Sequence, residues 1–257
     1  MIRVRLTLDS TTLYKPVEVS VALPHGFGGK APPYKTVWAL HCAMGSGEMF
    51  FDSLGAGSYV DKKQIAVIAP HLGNGYFTNS PHEPQADFLR DEFFEAMRDT
   101  FPLSRAPEHN LLFGISMGGF GALRWGLDSA NAFASIAAVS GVFDCRIPPD
   151  ERLFKNRGQR ALHMALGPFM RQAMLDASGE VRPDADIDAL LITAKRQGTM
   201  PQVHLYCGEQ DYLSLQQSEA MYALCINHGC PVKLHIQPGE HDKDYWRQAL
   251  HDALATF

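Results

Sequence analysis

The segment "LLFGISMGGFGALRWGL", residues 111 to 127, sets Ser116 between Gly114 and Gly118 in the pattern G-x-S-x-G. A short apolar run leads into the serine and a helical pattern leads out. That is the strand, sharp turn and helix which a nucleophilic serine requires. Glycines two residues to either side leave room, because the serine sits in a strained backbone conformation where larger neighbours would collide. The turn lifts the Ser116 hydroxyl above the strand end. The next helix points its amino end and the Met117 amide at the same spot, an arrangement suited to an oxyanion.

A serine hydroxyl is a poor nucleophile until a base takes its proton, and the base needs a carboxylate to orient it. Where a strand ends in such an elbow, the chain order is serine, acid, histidine. Four histidines fall late enough: His228, His235, His241 and His251. His235 lies in a strand pattern, His228 in the loop before it, and His251 in the middle of a helical pattern. His241, in "QPGEHDKDYW", sits just past the carboxyl end of the last strand, where a loop carries it over Ser116. For the acid, "VHLYCGEQDYL" offers Asp211 on the loop side of the sheet, with Glu209 earlier on the same turn and Asp144 as a rival on another loop. Asp242 is expected to cap the following helix.

The elements that must position these residues alternate. Val4, Leu6 and Leu8, then Val17, Val19, Val21 and Leu23, recur at every second position, as in half-buried antiparallel edge strands. The runs "TVWAL", "IAVIA", "NLLFGI", "FASIAAVS", "VHLYC" and "VKLHI" are short and mostly continuous, like strands of a parallel sheet covered on both faces. Between them, "EPQADFLRDEFFEAMRDTF" aligns Leu89, Phe93, Met97 and Phe101 on one helical stripe, and "DYWRQALHDALATF" offers Tyr245, Leu250 and Leu254 for docking. The pattern predicts a single doubly wound α/β domain over 1–257, its sheet mostly parallel with antiparallel N-terminal edge strands. From about 142 to 200 no strand is evident, and a helical insertion is expected over the crevice at the strands' carboxyl ends. Its Met164, Leu166, Phe169, Met170 and Met174 could wall a small acyl pocket or pack as helix core.

Of the 257 residues 46% are hydrophobic, which is ample for a buried core and excludes a disordered chain. The net charge of -5, with no basic block, lacks the electrostatic footprint of a nucleic-acid binder. The start "MIRVRLTLDS" lacks a signal's apolar core and no run reaches membrane-spanning length, so a cytoplasmic protein off the membrane is expected. Five scattered cysteines suit reduced thiols, and Cys225 with Cys230 lacks a second pair at zinc spacing. Self-association into a homo-oligomer is left open by the sequence.

"GISMGGFGALRWGL", "CGEQDYL" and "PGEHDKDYW", with "LGNGYFTN" upstream, resemble the esterase family that includes tributyrin esterases, esterase D and S-formylglutathione hydrolases. The likeness runs in order over nearly the whole chain and is greatest to the tributyrin or acetyl esterase branch. It implies an alpha/beta hydrolase fold, a triad of Ser116, Asp211 and His241, and no metal or organic cofactor. In "LHCAMGSG" His41 matches the histidine of the family's H-G-x-x-G, Gly45 its last glycine, and Ala43 the donor that completes the oxyanion hole with Met117. Cys42 replaces a glycine there, and cysteine resists the positive φ that glycine takes freely. Tyr76 is expected at the substrate crevice by the same resemblance.

These residues together predict a serine carboxylesterase acting on a small ester with a short acyl chain, through an acyl-enzyme. Thioester hydrolysis of S-formylglutathione and acyl transfer to an alcohol are alternatives on the same fold. A non-catalytic binding scaffold would predict a damaged triad. A thiol enzyme built on Cys42 and His41 fails on geometry, because adjacent residues at a strand end point to opposite faces.

Overall fold

The computed structural model describes residues 1–25, 32–80 and 83–257. At its centre an eight-stranded sheet runs in the order β1-β2-β4-β3-β5-β6-β7-β8. β1 (Ile2–Ser10) and β2 (Lys15–Leu23) form an antiparallel hairpin, and β2 lies antiparallel against β4 (Ile65–Pro70). β3 (Lys35–Leu40), β5 (Asn110–Ile115), β6 (Ser135–Val139), β7 (Gln202–Gly208) and β8 (Val232–Gln237) continue the sheet from β4 with every pairing parallel. β4 and β5 are buried along their whole length, which is why their sequences run apolar without alternation. β1, at the edge, keeps the expected alternation, but β2 is not an edge strand: it lies between β1 and β4 and is buried on both faces from Val19 to Ala22.

The helices are α1 (Met49–Asp52), α2 (Gly57–Lys63), α3 (Gln85–Asp87), α4 (Phe94–Thr100), α5 (Met117–Asp128), α6 (Arg157–Met174), α7 (Ile187–Gln197), α8 (Leu215–His228) and α9 (Lys243–Thr256). A π-helical turn over Phe88–Phe93 joins α3 to α4. That wider turn rotates the buried face, so Phe88 and Phe94 join Leu89, Phe93 and Met97 in the core, while Phe101 ends the helix in extended backbone, only partly buried. His228 is the last residue of α8 and not part of the loop expected there; Gly229 in the left-handed conformation stops the helix one residue later.

The sheet carries a core on each face. On one side Trp38, Phe94, Trp125 and Phe133 pack as a cluster of aromatic rings 4.6 to 6.1 Å apart. On the other, Phe50 meets Phe113 edge-on, and Tyr245, Leu250 and Leu254 of α9 cover the strands as expected. Between β6 and β7 lie α6 and α7, and no described helix is long and apolar enough to cross a membrane.

Candidate functional site

Leu40 of β3 pairs with Gly114 of β5, so the loops that follow these two strands leave the sheet side by side. The chain crosses to opposite flanks of β3 here, and such a switch point opens a crevice. The elbow fills it tightly. A Cβ on Gly114 would strike the Gly118 carbonyl, and one on Gly118 would strike the Leu40 carbonyl. Both glycines are therefore required for close backbone approach, and neither has a positive φ.

Ser116, between them, does: φ 54 and ψ -113, a region that non-glycine residues avoid. Its amide donates to the Val139 carbonyl at 2.8 Å, and its carbonyl accepts from the Gly119 amide at 2.9 Å, which pins the strained turn from both sides. As the residue before α5 it makes no side-chain cap to the helix, so its hydroxyl is free for another partner.

That partner is His241. The Ser116 Oγ lies 3.0 Å from His241 Nε2, and His241 Nδ1 lies 2.9 and 3.0 Å from the two carboxylate oxygens of Asp211. A carboxylate at Nδ1 places the imidazole proton there and leaves the Nε2 lone pair facing the serine hydroxyl. Asp211 is fully buried and also accepts from the Leu213 amide at 3.1 Å and the Ser214 amide at 2.9 Å. Burial alone raises its carboxyl; the charge and hydrogen bond of His241, with the neighbouring Ser214 and Ser140, outweigh it and hold the group at about 2. Asp242 caps α9, accepting from the Asp244 and Tyr245 amides, and so fixes the helix start beside His241.

The rivals are engaged elsewhere. Asp144 binds Arg146 through backbone and guanidinium, and Glu209 is exposed. His228 pairs with Asp188 at 2.7 Å, His235 with His204 at 3.1 Å, and His251 with Asp252 at 3.2 Å.

The loop after β3 is built around His41. Its Nδ1 lies 2.7 Å from the Cys42 carbonyl and its Nε2 accepts from the Leu72 amide at 3.2 Å, a pair of contacts that suits one neutral tautomer. Burial lowers its pKa to about 4, against a smaller rise from the Cys42 carbonyl, so the ring stays neutral. Cys42 lacks the positive φ that a glycine position would suggest. Met44 takes it instead, at φ 59, with its amide bound to Asn74 Oδ1 at 2.7 Å. Burial pushes the Cys42 thiol up to about 11, which disfavours the thiolate.

A cavity of about 100 Å³ opens between these loops, lined by Cys42, Ala43, Met44, Tyr76, Ser116, Tyr212, Leu213, His241 and Trp246, and by Leu162, His163, Leu166 and Met170 of α6. Ligand pockets commonly span roughly 300–1,000 Å³, so this one suits a short chain. Of the apolar residues expected to wall it, Leu166 and Met170 do; Met174 is buried elsewhere, and Met164 and Phe169 face solvent, 71% and 47% exposed. Tyr76 reaches the cavity from a loop in which it and Phe77 are both left-handed, held where Gln85 accepts from the Phe77 amide at 3.1 Å. Met117, fully buried, is the first residue of α5.

Ser140, Trp246, His163 and the Leu213 and Ser214 amides escaped sequence reasoning. Only the amides left a signal, since an aspartate two or three residues ahead of backbone amides at a helix start commonly accepts from them.

A family model described as "Putative esterase" matches residues 10–257. An acetyl esterase of Caldicellulosiruptor saccharolyticus is 28% identical over 230 residues, 86% of this chain and 82% of that protein. Among solved structures, the substrate-bound fluorophosphonate-binding serine hydrolase F of Staphylococcus aureus superposes with a TM-score of 0.82 at 22% identity, covering 99% of this chain and 97% of that one. The S-formylglutathione hydrolase FrmB of Staphylococcus aureus gives 0.78 at 22% identity, with 99% and 98% covered. The fold is that of the alpha/beta hydrolases, and the match over nearly the whole length shows that the chain belongs to the Putative esterase family.

Proposed function

We propose that this protein is a serine carboxylesterase that hydrolyses short-chain acyl esters, with Ser116, His241 and Asp211 as its triad. The observation that carries this reading is the hydrogen-bonded line from Ser116 Oγ through His241 to a buried Asp211 carboxylate. Ser116 Oγ attacks the ester carbonyl carbon while its proton passes to His241 Nε2. The tetrahedral oxyanion is held by the Ala43 and Met117 amides; Ala43 lines the cavity beside Ser116 and Met117 begins the helix behind it. Collapse breaks the bond to the alcohol oxygen, which takes the proton from Nε2, and the acyl group stays on Ser116. A water then attacks the acyl carbon and gives its proton to Nε2, and the released Ser116 oxygen recovers it as the carboxylic acid leaves.

The acetyl esterase relative and the small cavity favour a short acyl group. Tyr76 is assigned to its wall. A p-nitrophenyl ester series from acetate to octanoate tests this. kcat/KM is expected to fall as the acyl chain outgrows the cavity; a maximum at octanoate would contradict it. We assign the protein to the cytoplasm, supported by five free cysteines, and treat 1–257 as one domain whose segment 142–200 caps the crevice.

A further inference from the structure

The inward face of α6 carries one residue out of character. Leu166 and Met170 follow His163 by three and seven positions, on the helical stripe that lines the catalytic cavity, and Leu162 joins them there. Leu162, Leu166 and Met170 are apolar, as a stripe turned toward an acyl pocket should be; His163 is not. Its Nδ1 is shut off from solvent and has no hydrogen-bond partner among the described residues. Buried polar atoms are normally paired, and an orphaned N–H is rarer than an orphaned acceptor, so the ring carries its proton on Nε2 and leaves Nδ1 bare. Burial also lowers the pKa of the ring, which keeps a second proton off it. Nε2, accessible and unpaired among the described residues, is then a donor that the cavity wall offers to whatever enters.

Tyr76 stands in the same wall. The residue is buried, yet its hydroxyl has no partner among the described residues. Its backbone is left-handed at φ 55 and that of Phe77 at φ 56, a costly conformation for two successive aromatic residues. Its ring packs edge-on against Phe120, centroids 6.5 Å apart. A group that accepts from an imidazole N–H and also exchanges a hydrogen bond with a phenol is a hydroxyl. A methyl of the same size does neither, and filling the cavity with one leaves both polar groups unpaired.

We propose that His163, together with Tyr76, forms a polar subsite that selects esters carrying a free hydroxyl next to the ester group over esters with a methyl in its place. The proposal names a substrate class for the serine esterase reading and rests on that reading. Its test measures kcat/KM by acid release for two matched pairs. Ethylene glycol monoacetate against propyl acetate exchanges hydroxyl for methyl in the alcohol, and ethyl glycolate against ethyl propionate does so in the acyl group. In one pair His163→Phe is expected to lower the ratio of hydroxylated to methyl ester about tenfold, and Tyr76→Phe about threefold. The pair that responds names the part of the substrate held in the subsite. Comparing each ratio with that of the wild type cancels the intrinsic reactivity of the esters and any loss of folded enzyme. A variant of either residue that leaves both ratios within about twofold of the wild type overturns the proposal. Turnover of these esters that survives Ser116→Ala, or a wild type that hydrolyses none of them, would overturn the esterase reading instead.

Discussion

His241 Nε2 stands 3.0 Å from Ser116 Oγ although 125 residues separate them in sequence. Nothing local brings them together. The elbow after β5 and the loop after β8 meet only because the intervening strands are laid down in parallel, so that all their carboxyl ends face one crevice. What each surrounding group contributes to that contact is open to measurement.

Asp211→Asn keeps the shape of the acid and removes its charge. An amide at that position presents either a donor or a neutral acceptor to Nδ1 and no longer stabilises the imidazolium that forms when Ser116 attacks. By comparison with the same change in other serine triads, kcat should fall by about 10⁴-fold. Steady-state hydrolysis of p-nitrophenyl acetate measures it, and a loss under tenfold would remove Asp211 from the account.

Only neutral imidazole accepts the serine proton, so kcat/KM should fall as the pH is lowered from neutrality into acid. Asp211, held at about 2, is already charged throughout that range. The acid limb should therefore follow a single ionisation, with a slope of about one in a log plot. A limb of slope two would show that Asp211 takes up a proton in the same range.

Cys42 occupies a glycine's place in the family pattern without a glycine's backbone. Cys42→Gly should leave turnover within about twofold and cost roughly 0.4–1 kcal/mol of stability through the freer unfolded chain. With its thiol pushed up to about 11, wild-type activity should also survive brief iodoacetamide treatment at neutral pH. A severalfold gain of turnover in Cys42→Gly would mean that the cysteine distorts the loop.

Glu92 fastens the β1–β2 hairpin to the helix run that begins at α3, its carboxylate accepting from Ser10 Oγ at 2.7 Å and from the Thr11 and Thr12 amides at 2.8 and 3.0 Å. Burial raises its pKa, but these donors outweigh it and hold the carboxyl at about 2. A folded-state value below the unfolded one gives stability that is present above the unfolded value, about 4.3, and lost as pH falls toward 2. Glu92→Gln should therefore melt below wild type at pH 7, with the gap closing progressively below about pH 5. Melting curves across that range check it, and a gap that widens in acid would reverse the sign.

The strands were legible because burial on both faces writes itself as continuous apolar runs, and β5 lies on the residues that the pattern marks. Ser116 was legible because an elbow is local: glycine, serine and glycine between a strand and a helix. His241 and Asp211 could be chosen from the late residues by their places just past strand ends. Phe101 packs on the core with Leu89, Phe93 and Met97 as expected, one residue past the end of α4, whereas His228 was misplaced by the end of α8, which a left-handed Gly229 decides. The shift of positive φ from Cys42 to Met44 depends on a bond to Asn74 in another loop, and no pattern around Cys42 contains it. Ser140 and Trp246 meet across 106 residues, and although Trp246 ends the stretch "PGEHDKDYW", nothing in that stretch names its partner.

The central claim is that Ser116 carries the acyl group. It is tested most directly by comparing purified wild type and Ser116→Ala for p-nitrophenyl acetate turnover and for covalent labelling by an organophosphonate, read by intact-protein mass. One adduct and full turnover are expected for the wild type, with neither in a folded Ser116→Ala variant. A variant that melts like the wild type yet still turns over the ester or takes up the label would contradict it.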